Sequence, residues 1–127
     1  MNTFGILANC VVGVGTYINS GISGLYASPA TIYTVPLGTY TIGTLRCINF
    51  LQTGLPVSFT VYQATASLKG NNLEPEQCTI IPNTILQWNS VYTMNIKANA
   101  GESIRVSLNS LNGCLTFHLT GTNRLIS

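Results

Sequence analysis

The sequence contains no aspartate. Its charged side chains are Arg46, Lys69, Glu74, Glu76, Lys97, Glu102, Arg105 and Arg124, 6% of 127 residues, against about 25% in an average domain. There is one histidine, His118, and one tryptophan, Trp88. These shortages narrow the chemistry. A catalytic triad needs a carboxylate to orient its imidazole. The glutamates lie apart from His118, two in a hydrophilic stretch and Glu102 in a turn. Cys114 is the cysteine nearest His118, but four residues along a strand span about 13 Å, beyond hydrogen-bond reach. The chain therefore does not read as an enzyme. One His, three Glu and scattered cysteines without a CxxC give no metal-ligand spacing. No glycine-rich phosphate loop precedes a helix. Neither a metal nor a cofactor is expected.

Other partners are also disfavoured. The net charge of +2 is small and dispersed, whereas nucleic-acid binding needs a clustered basic patch. No apolar run reaches the roughly 18 residues of a membrane helix. The apolar stretch after Met1 has no basic residue before it, and Asn9 stands where a cleavage site wants a small residue, so it does not read as a signal segment. Cys10, Cys47, Cys78 and Cys114 allow three pairings as two disulfides. They read more simply as thiols acting as small apolar residues.

With so little charge, the polar surface must be made of Thr, Ser, Asn, Gln and Gly. That suits a β-rich protein whose outer surfaces are occupied by neighbours. In Thr31–Thr53 a short strand (Ile32–Val35) leads into a Pro36–Gly38 turn and a longer strand (Tyr40–Leu51). Pro36 lacks an N–H and Gly38 tolerates positive φ, so the turn has its chemistry. The longer strand is apolar on both faces: Ile42, Ile48 and Phe50 on one, Leu45, Cys47 and Leu51 on the other. It should be covered on both. Alternation continues in Pro56–Ala66, Tyr92–Ala98, Ser103–Asn109 and Cys114–Thr120. Cys78–Trp88 reads as two short strands around Pro82–Asn83. Leu68–Gln77 reads as an exposed loop, and Asn112–Gly113 as a hairpin turn. About eight strands with turn signals between them and no 3.6-residue period predict an all-β, antiparallel β-sandwich of jelly-roll type.

Residues 1–28 admit two readings. Phe4, Ile6, Ala8, Cys10, Val12 and Val14 share one side at period two, and a Gly/Ser-rich connection follows. The segment is either an edge strand and loop of the same domain, or an extended arm lying on a neighbouring subunit. The sandwich proper then spans 29–127.

The segment IYTVPLGTYTIGTLRCINFLQTGLPVSFTVYQA resembles the opening of small tailed-bacteriophage virion proteins. The likeness rests on Tyr33, Thr34, Val35, Pro36, Gly38, Arg46, Asn49 and Val57–Tyr62, and later on NAGESIRVSL (Asn99–Leu108). It implies a β-sandwich built into a phage particle assembled in the bacterial cytoplasm. Candidates are a capsid decoration (cement) protein, or a tail, neck or fibre component with a host-receptor or carbohydrate-binding role. It also implies homo-oligomers, trimers foremost, and contacts with the major capsid protein. The candidate subunit-interface residues are Phe4, Ile6, Leu7, Val11, Val12, Tyr40, Arg46 and Trp88.

Overall fold

Residues 4–15, 25–50, 55–69 and 72–126 are described by the computed structural model. Among them are nine strands and no helix: β1 (Gly5–Val14), β2 (Leu25–Ala27), β3 (Ala30–Thr34), β4 (Thr39–Asn49), β5 (Val57–Lys69), β6 (Asn72–Leu86), β7 (Ser90–Ala98), β8 (Ser103–Leu108) and β9 (Gly113–Leu125). They form a five-stranded sheet, β2-β1-β9-β4-β7, and a four-stranded sheet, β3-β8-β5-β6. The antiparallel pairs β1/β9, β3/β8, β4/β7 and β5/β6 nest outward from the β5–β6 hairpin. That is one long ribbon rolled over on itself, which is the jelly roll. The ninth strand is the short β2, parallel to β1 over Val11–Gly13.

Alternation decides what is buried. Leu45 and Cys47 of β4, Leu115, Phe117 and Leu119 of β9, and Val12 of β1 face Val57, Phe59 and Val61 of β5 and Ile104 and Val106 of β8, all essentially without exposure. Phe59 bridges the sheets, its ring edge-on to Phe117 at 6.0 Å and to Tyr92 at 6.2 Å. Polar groups also join the layers. The Tyr33 and Thr41 hydroxyls both donate to Asn123 Oδ1, at 2.8 and 2.5 Å. Gly43 and Gly121 are ladder partners, and a Cβ on Gly121 would lie 2.2 Å from the Ile42 carbonyl oxygen. Only glycine admits that backbone approach.

None of the four cysteines is in a disulfide, and Cys10, Cys47 and Cys114 are buried. Cys10 and Cys47 flank Phe117 in one row of the sheet. One strand therefore separates them by two strand spacings, about 10 Å, too far for a disulfide. Burial alone pushes the Cys10 thiol up to about 11 and the Cys47 thiol to about 12.

Several local expectations are corrected. Asn112–Gly113 is not a hairpin turn, because β8 and β9 belong to different sheets. The backbone of 68–77 is mostly ladder, paired from Leu68↔Leu73 to Ala64↔Gln77. Pro82–Asn83 do not divide two strands. They sit in β6 where the register slips between Phe59↔Thr84 and Val61↔Ile81. β6 is a sheet edge, and edges and bulges are where proline is tolerated. In β1 the register shifts between Ile6 and Ala8, so the period-two series breaks there. Leu7 packs against the core, while Phe4 and Ile6 are exposed. β1 itself is ladder-paired to β9 from Gly5 to Val14 and lies against this chain's own core. Its own chain covers β4 on one face only: Leu45 and Cys47 are sealed, but Ile42 is 39% and Phe50 50% exposed. Leu51 lies outside the described residues.

Candidate functional site

The uncovered side of β4 belongs to the outer face of the five-stranded sheet, and the ladders fix its layout. One row reads Val11, Thr116, Ile48, Val91; the next Asn9, His118, Arg46, Thr93. Then come Ile6, Thr120, Thr44, Asn95, followed by Thr122, Ile42, Lys97 and by Arg124 beside Tyr40. These positions are half-buried or exposed, whereas their chain neighbours point into the core. Period two, run in register across four strands, produces the face.

Its polar groups are tied to one another. Arg46 Nη1 donates to Thr120 Oγ1 at 3.1 Å, and Thr44 Oγ1 donates to Asn95 Oδ1 at 3.1 Å. Lys97 Nζ stands 5.6 Å from the centroid of the Tyr40 ring, a cation–π contact. The result is a surface of threonine, aliphatic side chains and a few cations.

Of the eight interface candidates, the fold gathers Ile6, Val11, Tyr40 and Arg46 on this face. Phe4, 74% exposed, immediately precedes β1. Leu7 is half-buried against the core, and Val12 lies inside it without exposure. Trp88 lies elsewhere, in the turn between β6 and β7, 44% exposed. That turn belongs to one end of the roll. Asn49 Nδ2 donates to the carbonyls of Leu55 and Leu86, and the Asn89 amide donates to the Asn49 carbonyl. On the same end Ser58 N donates to Ser110 Oγ and Asn109 N to Ser58 O. Phe50, Leu55, Trp88 and Leu111, the last 92% exposed, stand on these connections.

Sequence reasoning missed Lys97, Arg124, Val91 and the threonines as members of one face. The alternation was visible strand by strand, but the register that aligns the strands was not.

Tyr26, Tyr33, Tyr40, Tyr62 and Tyr92 lie on five different strands, and Tyr17 is outside the described residues. Tyr62 lines a hollow of ≈ 240 Å³ on the other sheet, with Pro29, Arg105, Val106 and Ser107. Ser28–Pro29 is a cis peptide. Among the described residues no group of three or more His, Cys, Asp or Glu is placed to hold a metal ion.

Comparison of the chain with protein-family models, with curated proteins and with solved structures finds no match in any of the three.

Proposed function

We propose that this chain is a non-enzymatic structural subunit of a tailed-phage particle, a capsid decoration protein that works by docking and self-association. The observation that carries the reading is the apolar surface its own fold leaves uncovered. On the sheet face Ile42 is 39% and Val91 55% exposed, and Phe50, Leu55, Trp88 and Leu111 crowd one end. Burying such surface stabilises an assembly by about 25 cal/mol per Å² before the costs of association. A decoration protein acts mechanically, since contacts added across capsomer boundaries raise the force the shell withstands. The resemblance around Tyr33–Gly38 and Asn99–Leu108 supplies the phage setting. In this reading the neutral loop end joins copies of the chain, a trimer foremost, and the sheet face meets the major capsid protein.

Sedimentation of the isolated chain at low salt tests the proposal. Oligomers are expected, shifting toward monomer in a Trp88→Ser, Leu111→Ser variant. A monodisperse monomer of the unaltered chain would count decisively against it.

The hollow beside Tyr62 favours a second reading, a fibre or tail component that binds sugar, because an aromatic face and a guanidinium suit a sugar ring and its acid. Retention on a glycan array that Tyr62→Ala abolishes would favour it.

A further inference from the structure

Charge is divided unequally between the sheets. The strands of the five-stranded sheet carry Arg46, Lys97, Arg124 and His118 and not one carboxylate. Arg46, Lys97 and Arg124 all stand on its outer face, by register with His118, Ile42 and Tyr40. Lys69, Arg105, Glu74 and Glu76 belong to the four-stranded sheet, and Glu102 stands in the turn before β8. There the Glu102 carboxylate accepts from the Asn99 amide and from Gln63 Nε2. The five-stranded sheet therefore carries three positive charges, and the other five charged side chains sum to −1, which together make the net charge of +2.

We infer that the outer face of the five-stranded sheet docks on an acidic protein surface, and that this partner is not a second copy of the same face. The inference deepens the structural reading above and rests on it. Two copies packed face to face would set Arg46, Lys97 and Arg124 of one against those of the other, with no carboxylate on either side. Like charges so placed oppose the contact. A partner bearing glutamates and aspartates reverses the sign. Thr120 holds Arg46 through one Nη1 bond, and the guanidinium keeps further N–H donors for a carboxylate. The aliphatic side chains say what else the partner must be. Ile6, Ile42 and Val91 are exposed on the same face as the cations and need apolar cover. A nucleic-acid backbone offers phosphate but no such cover, so a protein surface fits and a polyphosphate does not.

Binding of the full chain to three immobilised probes tests this: an alternating Val–Glu peptide, its Val–Lys counterpart and a short DNA duplex. The chain should hold the Val–Glu peptide over the Val–Lys peptide and over the duplex. Retention should fall about tenfold as NaCl rises from roughly 0.05 to 0.5 M, because salt shortens the reach of exposed charges. Arg46→Gln with Arg124→Gln should weaken it about tenfold, and Lys69→Gln on the other sheet should leave it unchanged. Circular dichroism confirms that the double variant is folded, and Lys97→Gln, at an exposed position, gives an independent second loss. Equal retention on the two peptides, preference for the duplex, or unweakened binding by the folded double variant would overturn the inference. Sedimentation separates the two levels. A chain that self-associates yet ignores the acidic peptide ends this inference and leaves the assembly reading standing, whereas a monomer that holds the peptide does the reverse.

Discussion

The outer faces of the two sheets differ in kind, although both are backed by the same core. On the five-stranded sheet, threonines, isoleucines and valines share the face with three cations, in ladders that slip only between Ile6 and Ala8. On the four-stranded sheet the outer side is broken up. β6 carries register shifts at Pro82, the β3/β8 ladder slips between Thr31 and Tyr33, and a hollow opens beside Tyr62. A face with a single sign of charge and few register shifts suits docking over an area; a more interrupted one suits solvent or a small ligand. The difference teaches that a jelly roll needs only its inner faces to fold, which leaves each outer face available to a separate task.

The comparison can be broken most severely at the border of the five-stranded sheet. Removing residues through Val14 strips β9 of one neighbour and uncovers Phe117 and Leu119, so the truncated chain should lose its β-sheet circular dichroism and become protease-sensitive. A folded truncation would mean that β1 is dispensable to the core. Next in size is Phe117→Ala, which removes the ring shared by both sheets. It should cost about 3–5 kcal/mol in urea unfolding. Asn123→Leu should cost about 1–3 kcal/mol, since it leaves the Tyr33 and Thr41 hydroxyls without their acceptor. Alkali offers a gentler probe of the same interior. Cys10 and Cys47 hold their protons more tightly folded than unfolded, so their contribution is complete below about pH 9 and is lost as pH rises from there through about 11 and 12. Unfolding midpoints should be flat up to about pH 9 on this account and fall above it. The smallest effect on stability belongs to the outer face. Ile42→Thr should change unfolding free energy by no more than about 0.5 kcal/mol, yet weaken retention on the acidic peptide. A large loss of stability would show that β4's outer side is integral to the monomer.

Much of the architecture was legible because it depends on period two. Leu115, Phe117, Leu119, Ile104, Val106 and Leu108 read as inward from the sequence and are buried. The Pro36–Gly38 turn was equally plain, Gly38 adopting φ +80. What could not be read was whichever property depends on partners distant in sequence. Asn-Gly at 112–113 has the chemistry of a hairpin turn, but nothing local says whether the next strand joins the same sheet. The polar composition of 68–77 suggested a loop, while backbone pairing across β5 and β6 prevailed. The sheet-face site suffered most, because Arg46, Lys97 and Arg124 come together only through the registers of β4, β7 and β9.

The nesting of the ribbon also sets an order in time. Gly5 pairs with Gly121, so β1, made before the other eight described strands, completes its ladder with β9, made after them. Until β9 has left the ribosome, Cys10 and Val12 have no sheet neighbour on that side, and β4 waits likewise for its partners. Closure of the sandwich therefore waits for β9. It should proceed on the millisecond-to-second scale of sheets closed by distant contacts, and a translation pause before β9 would lengthen the exposure of half-built edges.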